Sequence, residues 1–311
     1  MNRWPSLKQL HYLVTLSECE NFNRAAKACF VSQSTLSTGI QTLEELLGLQ
    51  LIERDQKSFI MTPVGHEVVA RARAMLTQAR DMLELAQAQS GILSGTLRLG
   101  CIPTIAPFLL TDLVNRCARS APQLELLLRE DTSANLLAQL EAGTLDLLVL
   151  ALPYEIGHFH KLVVGQDPFR LVVHRQSLQT RSAPLDYPDL PNGSIFLLEQ
   201  EHCLTGHALA ACHMTDRQKI NPFAATSLYT LVQMVASRMG ATYLPQMARC
   251  TGILRPTELE ALPPVDGQAF RDIGLVWRPS STRVATFYAF SELVSESLQH
   301  ICKPKSDETC C

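Results

Sequence analysis

Between Thr96 and Ala151 the chain alternates short apolar runs with amphipathic stretches, and no other feature restricts its fold as tightly. The pattern predicts strand 96–102, helix 107–119, strand 124–130, helix 133–142 and strand 145–151. Strands joined through helices pair in parallel, because a parallel connection needs a crossover of a dozen or more residues. The alternation resumes with strands near 162–165, 169–174 and 194–198, a helix over 204–211, a helix 226–238, strands 241–244 and 273–277, and a last helix 284–300. The expected fold class is therefore α/β, with ligands at the carboxyl ends of the strands.

The N-terminal third reads differently. Leu7, Leu10, Leu13, Val14 and Leu16 recur at helical spacing after Pro5, and a short helix follows over Asn23 to Cys29. Ser32 is a good N-cap for a third helix reaching about Leu47, with Leu36, Ile40, Leu43 and Leu47 as its core positions. The first turns of that helix carry Gln33, Ser34, Thr35, Ser37, Thr38, Gln41 and Thr42, an uncharged polar surface. Two helices joined by a tight turn, the second with such a face, are what a helix-turn-helix needs to reach base edges in the major groove. Ser32, Gln33, Ser34, Thr35, Ser37, Thr38 and Gln41 are the candidate DNA contacts, and a charged turn after Gly48 forms a wing whose Arg54 and Lys57 reach phosphates. Residues 1–66 carry six Lys/Arg against six Asp/Glu, so charge alone does not disclose a nucleic-acid surface.

From Pro63 to Ser90 one long helix places Val64, Val68, Ala72, Met75, Ala79, Met82, Leu83 and Ala86 along a single face. A stripe of that length predicts packing against a second chain. Ser90 to Gly95 then read as a hinge.

The stretch from Glu199 to Met214 holds Cys203 and Cys212 nine positions apart, with His202, His207 and His213 among them. A neighbouring imidazolium favours thiolate, the reactive form of cysteine. In a continuous helix nine residues span roughly 13 Å, whereas a disulfide needs Cα atoms about 4.4–6.8 Å apart. A bond between the two would thus require the segment to be remodelled. Two other readings stay open on these residues: buried, inert core thiols, or part of a zinc site with Cys203 and His207 at i, i+4, for which no further dense Cys/His cluster completes the ligands.

Phe22, Ala25, Ala26, Ser32, Gln33, Leu36, Ser37, Ile40, Leu43, Glu44, Leu47, Gly48, Leu51 and Arg54 fall in register with the N-terminal pattern of LysR-type transcriptional regulators, which this chain closely resembles. Cys29, Ser34 and Ile52 depart from the usual residues without disturbing the framework. The resemblance implies a winged helix-turn-helix over 1–62 and a dimerising linker helix over 63–90. It further implies a two-lobed effector domain similar to periplasmic binding proteins, with lobe I at 91–165 and 270–302, lobe II at 166–269, and a tail at 303–311.

Within the family, the setting of Cys203 and Cys212, together with segments 101–110, 136–152, 225–236 and 273–281, resembles the activators that sense hydrogen peroxide. That resemblance makes Cys203 the peroxidatic and Cys212 the resolving cysteine. It assigns supporting roles to Thr104, Ser133, His202 and Arg278, with Thr132 the neighbour that would take the second hydroxyl role if the alignment shifts by one. It implies promoter DNA, RNA polymerase, hydrogen peroxide and a glutaredoxin or thioredoxin as partners of a homotetramer built as a dimer of dimers. The competing reading within the family is a regulator of a small molecule bound between the lobes; a thiol peroxidase would have no use for the DNA-reading helices.

At 311 residues, with 46% hydrophobic and 18% charged residues, the chain is expected to be a folded, cytoplasmic, non-enzymatic protein without membrane span, cofactor or metal. Ten cysteines in a reducing compartment are expected to be mostly free thiols. Cys19, Cys29, Cys101, Cys117 and Cys250 lie in or beside apolar runs, Cys302 follows the last helix, and Cys310 and Cys311 end a polar tail.

Overall fold

Ser6 starts the first helix with a reciprocal cap: Gln9 N–H donates to the Ser6 hydroxyl at 3.2 Å and Ser6 N–H to the Gln9 side chain at 2.9 Å. The computed structural model describes residues 4–53, 59–87, 91–178, 185, 187–199, 203–255, 257–263 and 269–302. Two units are distinguished, Met1–Gln89 with Glu141–Thr144, and Ser90–Leu140 with Leu145–Cys311.

In the first unit, α1 (Leu7–Cys19), α2 (Phe22–Ala28) and α3 (Gln33–Leu47) are capped by Ser6, Asn21 and Ser32. Leu10, Leu13, Leu16, Ala25, Ala26, Leu36, Ile40 and Leu43 form their common core. Gly39 lets α3 approach α1, since a Cβ there would come within 2.8 Å of the Tyr12 ring. Gly48 closes α3 with φ +65°, a left-handed conformation that glycine adopts without steric cost. Glu44 then ties α3 to the following segment, its carboxylate accepting from Leu51 N–H at 2.7 Å and Ile52 N–H at 3.1 Å. Ile52 and Met61 pair as an antiparallel bridge at the base of the expected wing, whose Arg54 and Lys57 lie outside the described residues.

Helix α4 (Pro63–Gln87) begins against this core rather than facing only outward: Val69 and Ala72 are buried in it, with Val68 and Leu76 alongside. Met75, Met82 and Leu83 are the part of the expected stripe left exposed in the single chain.

The second unit is a mixed sheet with helices on it. Its elements are β1 (Gly95–Cys101), α5 (Ala106–Ser120), β2 (Leu124–Glu130), α6 (Ser133–Glu141), β3 (Leu147–Leu152), β4 (His160–His174), β5 (Ile195–Leu198) and α7 (Cys203–Ala211). There follow β6 (Ile220–Ala225), α8 (Leu228–Ala236), β7 (Ala241–Pro245), α9 (Gln246–Cys250), β8 (Leu259–Leu262), β9 (Phe270–Trp277) and α10 (Val284–Cys302). The strand order is β2-β1-β3-β9-β4-β7-β5-β6, with β8 also on β4. β1 pairs in parallel with β2 and β3, and β5 with β6 and β7, whereas β9 and β4 run antiparallel to their neighbours.

The two strands expected over 162–174 are one strand, β4, shifted in register between Val163 and Gly165. Pro168 interrupts the apolar pattern but not the strand: it is the last residue opposite β9, and Phe169 the first opposite β7, so the missing N–H falls where β4 changes partners. β6, β8 and α9 lacked a sequence signal because INPFAA is an exposed edge segment containing Pro222, and LEAL and QMARC are too short to show a period. No described helix is long and apolar enough to cross a membrane.

Candidate functional site

The parallel strands deliver three side chains to one place. Thr104 lies in the turn from β1 to α5, Ser133 is the first residue of α6, and Cys203 is the first residue of α7. Cys203 and Ser133 thus stand at helix N-termini, where unpaired N–H groups and the helix dipole favour negative charge.

The positive charge that faces them comes from Arg271, the second residue of β9, whose side chain is 0% exposed. Its Nη1 donates to Thr104 Oγ1 at 2.8 Å and its Nη2 to the Thr104 carbonyl at 2.9 Å. Nε and Nη2 both donate to Asp167 Oδ2, at 3.2 and 3.0 Å. Burial pushes the Asp167 carboxyl up, while Arg271 and the Met247 N–H, 3.0 Å from Oδ1, pull it back toward the ionised form. Arg271 is thereby held from one side by Asp167 and aimed at Thr104 on the other.

Burial also raises the Cys203 thiol above its ordinary range, opposed by the Arg271 charge, the Ser133 hydroxyl and the residue's own backbone N–H. Ser133 Oγ is buried and makes no hydrogen bond of ordinary geometry, so its proton is directed at the sulfur only loosely. The pocket therefore stores a thiol at neutral pH, surrounded by groups that stabilise its anion when it forms. Tyr154 borders the sulfur from the loop after β3, its hydroxyl pushed up by burial and by the charge of Cys203.

Thr205, one turn into α7, anchors the helix by donating its hydroxyl to the Leu198 carbonyl at the end of β5, 2.7 Å away. Leu204 and Ala208 bury the inner face of α7 in the core. Cys212 follows the helix directly, its N–H on the Ala208 carbonyl at 3.0 Å, and the segment closes with Met214 N–H on Leu209 O and His213 N–H on Ala210 O. His213 takes φ +49° in that closure, the place usually held by glycine. Cys203 begins α7 and Cys212 follows its last residue, so about 13 Å of helix lies between them.

Arg278 is a correction. It does not join this cluster: its Nη1 donates to the Leu140 and Leu145 carbonyls and its Nη2 lies 3.9 Å from Asp146, bracing the turn between α6 and β3. The reason is strand direction. β9 runs antiparallel to β3, with Asp272 opposite Leu152 and Val276 opposite Leu148, so the start of β9 lies at the carboxyl ends of the parallel strands and its far end does not. Local sequence does not mark Asp167, Tyr154 or the bond from His207 to Pro153 as parts of a site, and Arg271 is signalled only as an arginine beginning the last strand. His202 lies outside the described residues. Thr132 uses its backbone to start α6, donating to Asp131 and accepting from Leu136, while the buried Ser133 hydroxyl opposes the upward shift of the Cys203 thiol. Among the described residues no group of three or more His, Cys, Asp or Glu could hold a metal ion.

In the helical unit, Gln33, Ser34, Thr35, Ser37, Thr38 and Gln41 are all exposed on one side of α3. Ser32 is exposed too, but its hydroxyl is occupied by the cap, accepting from Thr35 N–H at 3.1 Å and lying 2.8 and 2.7 Å from the Ser34 and Thr35 hydroxyls.

Residues 7–66 match the bacterial regulatory helix-turn-helix protein family of lysR type, and residues 90–299 match the LysR substrate binding domain. The HTH-type transcriptional regulator EstR of Acinetobacter baylyi is 42% identical over 91% of this chain and 94% of its own. A hydrogen peroxide-inducible genes activator of Pectobacterium carotovorum is 34% identical over 94% of this chain and 97% of its own. The reduced form of the regulatory domain of OxyR2 from Vibrio vulnificus is similar in structure, with a TM-score of 0.64 and 57% identity over 66% of this chain and 96% of that one. A helix-turn-helix early in the sequence, a mixed sheet later in it and relatives that match nearly end to end give one answer: the chain belongs to the LysR family of transcriptional regulators.

Proposed function

We propose that this regulator senses hydrogen peroxide through Cys203 and activates transcription when Cys203 and Cys212 join. The observation that carries the reading is the setting of Cys203: first residue of α7, beside Ser133, with the buried Arg271 held onto Thr104. Thr104 Oγ1 already accepts from Arg271, so its own proton is available to an oxygen that gains negative charge. Cys203 thiolate attacks one peroxide oxygen and the O–O bond breaks, giving Cys203 sulfenic acid and hydroxide, which takes up a proton to leave as water. Cys212 thiol then displaces a second water, forming the disulfide; sulfur has supplied the two electrons that peroxide received. A helix of nine residues keeps the thiols apart, so disulfide formation requires α7 to unwind, and this makes the segment a two-state element biased by a covalent bond.

The exposed polar side of α3 supports promoter recognition by Gln33, Ser34, Thr35, Ser37, Thr38 and Gln41, with Arg54 and Lys57 on phosphates. Met75, Met82 and Leu83 on α4 support pairing with a second chain in a homotetramer acting on RNA polymerase, and a glutaredoxin or thioredoxin would restore the thiols. The test is mass spectrometry of the reduced full-length protein after a brief peroxide pulse, alongside promoter activation. A Cys203–Cys212 disulfide and loss of activation in Cys203→Ser are expected. If Cys203 stays reduced and the variant still activates, the protein answers to a small molecule bound in its effector domain instead.

A further inference from the structure

His207 stands one turn after Cys203 on the same face of α7, and helical side chains lean toward the N-terminus, over the turn that carries the sulfur. Its Nε2 lies 2.7 Å from the Pro153 carbonyl. A carbonyl only accepts, so Nε2 carries the hydrogen. Burial, with the nearby Arg271 charge, keeps the ring from taking a second proton despite the bond to Pro153, so Nδ1 retains its lone pair. That nitrogen is buried without a hydrogen-bond partner, on a side chain only 7% exposed. An unsatisfied buried acceptor is destabilising, and a ligand proton would relieve that cost.

The rest of the pocket is made chiefly of groups that carry a proton to donate. Arg271 offers N–H groups, the Thr104 oxygen already accepts from Arg271, and the Ser133 hydroxyl, likewise buried without a partner, keeps a proton of its own, so His207 Nδ1 is the acceptor that brings none. Arg271 acts electrostatically on both Cys203 and His207, so the two side chains share one neighbouring positive charge. Hydrogen peroxide brings two O–H protons into a site made almost wholly of donors. Resting on the peroxide reading above, we infer that His207 Nδ1 is the hydrogen-bond acceptor for the peroxide O–H, and that the Pro153 carbonyl fixes the ring tautomer that makes it one.

In the reaction, the Cys203 thiolate bonds to the oxygen whose proton His207 accepts, the O–O bond breaks, and that proton passes to the departing hydroxide. The products are water, an unchanged imidazole and Cys203 sulfenate, which takes up one proton to become the sulfenic acid.

The experiment compares rates of Cys203 modification in the reduced full-length protein by hydrogen peroxide and by iodoacetamide, which needs the thiolate but no acceptor. His207→Leu is expected to slow the peroxide reaction by about tenfold or more and leave alkylation unchanged. His207→Gln, whose amide can both donate to Pro153 and accept from peroxide, is expected to retain most of the rate. An unchanged peroxide rate in His207→Leu, or equal loss of both reactions, overturns the inference. If the leucine variant does not fold, 15N NMR of Cys203→Ser decides: added peroxide is expected to shift the His207 Nδ1 resonance, and no shift overturns the inference. A wild-type protein that iodoacetamide alkylates at Cys203 and peroxide leaves untouched would instead overturn the peroxide reading itself.

Discussion

Arg271 and Thr104 are joined twice, Nη1 to the hydroxyl at 2.8 Å and Nη2 to the carbonyl at 2.9 Å, both residues being buried. A planar guanidinium that binds a residue through side chain and backbone together fixes its rotamer, so the Thr104 hydroxyl proton points away from the arginine. Thr104→Val keeps the shape and removes the proton. Oxidation of Cys203 by peroxide is expected to slow by about tenfold to a hundredfold with little change in melting temperature, read by quenched-flow mass spectrometry; equal rates would remove Thr104 from the mechanism.

Removing the arginine has a different consequence. Arg271→Met leaves Asp167 buried and unpaired, and breaking a buried pair from one side costs about 3–5 kcal/mol. Urea denaturation should show that loss in the α/β unit. The double variant Arg271→Met with Asp167→Leu should regain part of it, since no uncompensated charge remains.

Alkylation of Cys203 should rise with pH throughout the neutral range. Burial raises this thiol above 9.0, so the thiolate is a small fraction at pH 7, grows about tenfold per pH unit, and is still growing at pH 9. A plateau below pH 8 would show a thiolate already formed at rest. Cys101 and Cys117 should stay unreactive over the same range, burial holding Cys117 at about 11 and Cys101 higher still.

His213 occupies a left-handed position at φ +49°, which costs a non-glycine residue roughly 1 kcal/mol. His213→Gly relieves that cost only while α7 is closed by its present turn. The variant is expected to form the Cys203–Cys212 disulfide several-fold more slowly after an equal yield of sulfenic acid. Faster disulfide formation would mean that glycine's freedom in the unwound segment outweighs the relief.

On α3, Gln33→Ala and Thr38→Ala should weaken operator binding by about 1–3 kcal/mol each if they read bases, without altering thermal stability. Ser32→Ala should lower helical-unit stability by about 1 kcal/mol, because its hydroxyl caps α3. Fluorescence anisotropy on operator DNA and thermal melts separate the two classes.

Local pattern alone determined much of this protein. The Ser32 cap, the polar face of α3, the long α4 helix, the β/α alternation and the nine-residue interval of Cys203 and Cys212 all depend on neighbours within a few residues, where propensity and periodicity act. The tertiary structure decided what faces the sulfur. Arg271 and Arg278 stand at opposite ends of β9, and sequence does not distinguish them; the antiparallel run of β9 brings Arg271 to the helix N-termini and sends Arg278 to brace Leu140 and Leu145. Likewise the partner of His207 is a carbonyl 54 positions away, and only packing of α7 against the loop after β3 makes its Nδ1 a bare acceptor. Elements form from local preferences, but the chemistry of a site depends on which ends of those elements meet, and that is fixed by strand direction and packing.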